Sequence, residues 1–342
     1  MPPAAPDPRS APVPGRRIVL AGVQAVVGLG VLVGLFRAFG PGSIGAALGV
    51  LGPGTVALAL AAGSAATAAQ AQRWRLVARS RGVRIRPGEA LAECWAAGLV
   101  NLLMPGGVAG DAVRVLRRRR LGDSIPEAGI SVAGERLAGT SVMLAAGVVP
   151  ALTLGVWPAV GLGAGALVVG ALAWRATRGA RARDRAAVWG LSVLVWACYQ
   201  GLFLVAAVRT APGAARADLW GISVLGLAGM SVPLGVGGWG PREGITTLAA
   251  AAHGLPGETG FAISLAYGLL ALVSAAPGAV VLLRWLRPAA RVPAGAAGRA
   301  ASPDLESDPC GSRRRPWTPA PEGRSSGEPS GPRSPDGSSA SP

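Results

Sequence analysis

The stretch NLLMPGGVAGDAVRVLRRRR, residues 101–120, decides the reading of this chain. It begins as the end of an apolar helix and breaks at Pro105-Gly106-Gly107. It then restarts with Asp111 and Arg114 ahead of four consecutive arginines, Arg117 to Arg120. A second stretch, DLWGISVLGLAGMSVPLG (218–235), runs into GVGGWGPRE in the same manner. As helices, the apolar arms leading into the two breaks rise roughly 22 to 27 Å, short of the roughly 30 Å of a bilayer's hydrocarbon core. Two pairs of very short full spans would keep the same parity, but neither returning arm is apolar or long enough to cross, so each arm is read as entering apolar surroundings and turning back.

The rest of the chain supplies the bilayer. Of its 342 residues 51% are hydrophobic and 15% charged, with a mean hydropathy of +0.44. The apolar residues come in long blocks rather than in the alternation of a soluble core. Blocks long enough to span lie at about 18–36, 44–70, 127–154, 156–173, 187–208 and 261–285. The predicted fold class is an all-α polytopic membrane protein with six full spans and two re-entrant helical hairpins that enter from opposite faces. The run after GRRIVLAG is read as a retained first helix, because no small-residue cleavage site clearly follows it. The domains are then an N-terminal segment 1–17, a membrane domain 18–287 and a tail 288–342. The tail is rich in Pro, Gly, Ser, Ala and Arg, and is predicted to be disordered.

The net charge of +16 comes from arginine alone, for the chain has no lysine. The arginines sit at the ends of apolar blocks, after 44–70, before 127–154, after 156–173 and after 261–285. That is the signature of membrane topology rather than of a nucleic-acid face with interleaved aromatics. The positive-inside rule puts these ends, and both termini, in the cytoplasm of a multi-pass cell-membrane protein. Trp74, Trp95, Trp174 and Trp285, near span ends, read as interface anchors. Cys94, Cys198 and Cys310 have no CxxC spacing and His253 stands alone, so neither a disulfide framework nor a metal site is expected, and no cofactor.

The chemistry gathers at the breaks. Irregular backbone at membrane depth is tolerated where it lines a cavity, and paired broken helices of opposite entry mark transporter binding sites. The turn residues are Pro105, Gly106, Gly107 and Gly110 in the first break, and Pro233, Gly237, Gly238 and Gly240 in the second. Counting from each proline, both breaks place a glycine at the fifth residue and an arginine at the ninth, Arg114 and Arg242, as an inverted repeat would. Half-helices restarting near Gly110 and Pro241 aim N–H groups and a positive dipole end at the break, and a nearby guanidinium adds a bidentate phosphate donor. The implied ligand is an anionic head group. Asp111 and Glu243 suit the first turn of a helix and serve either as local charge compensation or in binding; Arg114 alternatively joins the cytoplasmic arginine face. Glu135 and Arg136, inside the third span, are read as lining an aqueous cavity, since each unpaired charge there costs roughly 2.5–3.5 kcal/mol. With Asn101, these seven form the predicted substrate-binding set. No catalytic motif is evident.

NLLMPGGVAGDAVRVL, AGISVAGERLAG and SVPLGVGGWGPREG together resemble the membrane domain shared by lysylphosphatidylglycerol synthases and a broad group of flippase-like proteins. Asn101, Pro105, Gly110, Asp111, Arg114, Glu135, Arg136, Pro233, Gly238, Arg242 and Glu243 occupy that family's polar pattern. The resemblance implies movement of a lipid between leaflets. In full-length synthases a large soluble aminoacyl-transfer domain follows; here a short low-complexity tail follows, so transferase activity is not carried over. The expected function is translocation of an anionic or phosphate-bearing lipid or a polyprenyl-phosphate carrier. The alternative is a membrane enzyme or accessory subunit in polyprenyl-linked glycan or lipid modification. Membrane lipid is the expected partner, with a separate lipid- or glycan-modifying enzyme as a second; the sequence sets no oligomeric state.

Overall fold

The computed structural model describes residues 42–232 and 237–286, with scattered positions between 26 and 38. The predicted first span, the terminal segments and Pro233 fall wholly or mostly outside the described residues. The chain is a membrane protein whose described elements are all helices. In order the helices are α1 (Gly42–Leu48), α2 (Pro53–Ser80), α3 (Pro87–Leu103), α4 (Ala109–Arg120), α5 (Ile125–Ala151), α6 (Val156–Ala176), α7 (Ala182–Thr210), α8 (Arg216–Gly229), α9 (Pro241–Ala252), α10 (Gly257–Ala275) and α11 (Pro277–Leu286).

Among the described residues four helices, α5, α6, α7 and α10, are long and apolar enough to cross a bilayer. The pair α1 and α2 makes a fifth span only if counted as one element, for the two are bent by 75°. The second predicted span therefore shifts from 44–70 to 53–80. Pro53, at the first helical position of α2, has its φ fixed for a start, and the glycine-flanked turn before it lets the chain bend. The last predicted span, 261–285, is likewise two helices, divided where Pro277 cannot continue the hydrogen bonding of α10.

Small residues let these helices approach closely, the usual packing device where lipid is as apolar as leucine. A Cβ on Gly63 of α2 would lie 2.6 Å from the Ser274 side chain of α10, and one on Gly226 of α8 would lie 2.6 Å from the Phe203 ring of α7. Phe203 in turn stacks on Tyr267 of α10 at 4.2 Å between ring centroids, inside the largest buried apolar cluster.

The arginine-rich helix ends gather at one end of the bundle. Arg81, just past α2, donates to the carbonyls of Ala176 and Arg175 at the end of α6, and Arg117 of α4 stacks over Trp285 of α11. From this end α3 rises and α4 returns. From the opposite end, where α7 finishes, α8 rises and α9 returns. His253, just past α9, is 3.0 Å from the Asp218 carboxylate near the start of α8 and ties the base of this second hairpin. No helix of one hairpin packs extensively along a helix of the other. They meet at their tips, where the Gly237 N–H donates to the Met104 carbonyl at 3.3 Å.

Candidate functional site

The breaks are built from left-handed backbone. Gly106, Gly107, Gly237, Gly238 and Gly240 all have φ between +54° and +100°, a region that costs other residues a Cβ clash. At Gly237 a Cβ would fall 2.1 Å from the Leu102 carbonyl oxygen, so the two tips touch backbone to backbone. Gly110 has another place: it lies at the second position of α4, where a Cβ would sit 2.2 Å from the Ala97 carbonyl of α3. Pro105 lies in the turn itself. Helix register also changes the correspondence between the breaks. Counted from the helix starts Ala109 and Pro241, Asp111 and Glu243 share the third position, whereas Arg114 is the sixth residue of its helix and Arg242 the second.

Five charged side chains form one continuous line beneath the first break. Arg73 of α2 donates through Nε (2.9 Å) and a terminal nitrogen to Glu135 of α5, and its other terminal nitrogen reaches Ser192 of α7 at 2.9 Å. Arg114 of α4 reaches the second oxygen of Glu135 and also Asp111, both at 3.3 Å. Asp111 accepts from Arg136, which donates again to the Gly107 carbonyl at 2.7 Å. Arg114 is 1% exposed and lies 4.0 Å above the centre of the Trp74 ring. Trp74, expected at the interface, is instead fully buried, and its indole N–H donates to Ser131 at 3.2 Å. Removing Arg114 from the arginine face does not leave that face disconnected. Arg118 is buried on Glu93 at 2.5 Å, Arg117 reaches the same carboxylate at 3.2 Å, and the two arms of the hairpin are locked together.

The second break carries a smaller, closed arrangement. Arg242 and Glu243 are both fully buried; Arg242 donates to the neighbouring carboxylate and to Ser264 of α10 at 3.0 Å. Glu243 also accepts from the Gly240 N–H at 2.6 Å, which satisfies an orphan donor at the start of α9. The guanidinium rests between Trp239 and Tyr267, 4.5 and 5.3 Å from the ring centres. Its charge is answered within the protein.

Between the tips is a cavity of about 360 Å³. Of the predicted binding residues, Asn101 and Arg136 line it, as do Gly106, Gly107, Gly237 and Gly238. Asp111 stands behind Arg136, and Arg114, Glu135, Arg242 and Glu243 lie off the wall. Asn101 Oδ1 accepts from the Gly110 N–H at 2.7 Å and so caps α4 from the other arm, which leaves its amide NH₂ as a donor on the wall. Arg136 is the single charged residue among those that line the cavity, and its side chain is 44% exposed. Thr67, Gln70, Thr140 and Tyr199 add polar groups; Met143, Leu227, Met230 and Ala271 add apolar wall.

Sequence reasoning missed Arg73 as a site residue, because it falls among topology arginines in QRWR. A signal was present: Thr67, Gln70 and Arg73 recur every three residues, a polar stripe on one helix face.

Residues 19–188 match the family model described as lysylphosphatidylglycerol synthase TM region. The match includes the first break and all five linked charges, and it ends before the second break. No curated protein matches the chain.

Proposed function

We propose that this chain, placed by residues 19–188 in the lysylphosphatidylglycerol synthase TM region family, is a translocator that moves an anionic, phosphate-bearing lipid between leaflets. The observation that carries this reading is Arg136. It is a partly exposed cation on the wall of a mostly apolar cavity at mid-bundle, where two glycine tips allow a head group to approach backbone. Two of its N–H groups are held by Asp111 and Gly107, which fixes the planar fork and leaves further donors for a phosphate oxygen. Asn101 supplies a second donor beside it.

The arginine-rich end faces the cytoplasm of the cell membrane, as the positive-inside rule requires, so hairpin α3–α4 enters from inside and hairpin α8–α9 from outside. The protein is not itself an enzyme in this reading; a separate lipid- or glycan-modifying enzyme supplies its cargo. The test is lipid flux in liposomes that contain the full chain, with fluorescent head-group-intact phosphatidylglycerol. Arg136→Gln should lower flux at least tenfold while the protein still inserts and elutes normally. Undiminished flux in that variant would overturn the assignment.

A further inference from the structure

A second recess lies at the arginine-rich end of the bundle, where the ends of α2 and α6 meet the first half of α5. It is an open groove of about 630 Å³ and shares no lining residue with the cavity between the tips. Three arginines line it, Arg81, Arg175 and Arg178, and among the described residues no acidic side chain does. Arg81 is held in place: it donates through Nε to the Ala176 carbonyl at 2.9 Å and through a terminal nitrogen to the Arg175 carbonyl at 3.2 Å. It thereby covers carbonyls at the end of α6 that would otherwise repel an anion. Its other terminal nitrogen is 3.9 Å from Glu127, too far for a hydrogen bond. Arg175 and Arg178 are exposed, and among the described residues neither guanidinium has an ion-pair or hydrogen-bond partner.

The groove has the two-part chemistry of an amphiphile. From the arginines its wall continues toward the middle of the bundle through Ile130 and Leu137 of α5 and Leu172 of α6, with Ile130 and Leu172 exposed. Its floor carries no side-chain bulk: a Cβ on Gly134 would lie 2.5 Å from the Ala176 side chain, and one on Gly179 would lie 2.8 Å from the Ser80 carbonyl oxygen. Trp174, exposed next to Arg175 and stacked under Arg185 at 4.4 Å, marks the depth of an interface aromatic, so the guanidiniums stand at head-group level. We infer that this groove is a resident site for an anionic phospholipid of the leaflet at the arginine-rich end, with the phosphate on Arg81, Arg175 and Arg178 and an acyl chain along Leu172 and Leu137. Water weakens the two exposed arginines, yet each basic residue at a membrane surface still favours an anionic lipid by about fivefold, and the two together by about 25-fold. The lipid bound here is a fixed one that joins α2, α5 and α6 on the outside, separate from anything that enters the cavity.

The test uses the full chain in detergent with Arg136→Gln as the background, so that the cavity's cation does not report. Two readouts run in parallel: the rise in melting temperature on adding phosphatidylglycerol or phosphatidylcholine, and the number of lipids retained in native mass spectra. Phosphatidylglycerol should stabilise the protein at a concentration at least tenfold lower than phosphatidylcholine, with one molecule retained. Arg175→Gln with Arg178→Gln should weaken this at least tenfold. Ala133→Trp, which fills the groove from an exposed position and leaves every charge in place, should do the same. Arg84→Gln with Arg86→Gln removes as much charge from exposed positions outside the groove and should change the midpoint by less than twofold. Equal stabilisation by the two lipids, an equal loss in the Arg84 and Arg86 pair, or an unaltered Ala133→Trp protein overturns the inference, for the arginines would then act only as a diffuse surface charge. Equal stabilisation by soluble glycerophosphoglycerol would assign the groove to a free anion, and by polyglutamate to an acidic protein segment; either result overturns the lipid assignment.

Discussion

Glu135→Gln is the substitution that should expose how the first hairpin is held. The carboxylate takes two hydrogen bonds from Arg73 on one oxygen and one from Arg114 on the other, and both guanidiniums are nearly sealed from solvent. An amide has the same shape but no charge, and it turns one of those oxygens into a donor that faces a donor. Orphaning one buried ion costs about 3–5 kcal/mol. Two are affected here, yet Arg73 keeps Ser192 and Arg114 keeps Asp111, so the expected loss is about 4 kcal/mol rather than twice that. At roughly 2–4 °C per kcal/mol for a chain of this size, the melting temperature in detergent should fall by about 10 °C. The control is Arg73→Met with Glu135→Met, which removes one cation along with its anion and leaves Arg114 to Asp111; it should regain at least half the loss. A Glu135→Gln protein that melts within about 2 °C of wild type would refute the pairing.

Arg242→Gln should cost about 3–5 kcal/mol by orphaning Glu243, and adding Glu243→Gln should restore part of it, because glutamine can still accept from the Gly240 N–H; equal melting of the single and double variants would show that the pair is not the stabilising unit. Gly237→Ala should abolish flux and lower the melting temperature, since the left-handed φ alone costs about 1–2 kcal/mol and the new Cβ meets backbone that has no rotamer to move; an active Gly237→Ala protein would mean the tips do not touch. On a background without cysteine, Arg178→Cys should react with an impermeant maleimide only from the cytoplasmic side and Trp157→Cys, 83% exposed at the other end of α6, only from outside; the reverse pattern would invert the proposed orientation.

The sequence carried the positions of both breaks because they rest on local backbone chemistry: Gly106, Gly107, Gly237, Gly238 and Gly240 are glycine where the chain must take positive φ. Which arginines turn inward was not legible. Arg73 and Arg79 sit in the same short run, and only the fold, by bringing α5 alongside α2 across 62 residues of sequence, separates a buried ion-pair partner from a topology arginine. Arg118 is hidden in the same way within a run of arginines, one helical turn beyond Arg114 on the face that meets α3 and α5. The division of the last apolar block was written in Pro277, which hydropathy alone overrides. There Gly278 completes the signal, since a Cβ at that position would lie 2.3 Å from the Trp95 carbonyl of α3.

The way the two hairpins meet has a mechanical consequence. The first is moored at its base by the buried pair Glu93 and Arg118, and pulling out such a mooring costs about 3–5 kcal/mol, while the second is tied at its base by His253 and Asp218. Among the described residues the seam between them is held by a backbone hydrogen bond from Gly237 to Met104, with a net worth of about 1 kcal/mol, less than twice thermal energy. Stress on the bundle therefore parts this bond before it shifts the base of the first hairpin. The chamber's weakest wall is the one placed between its two entrances.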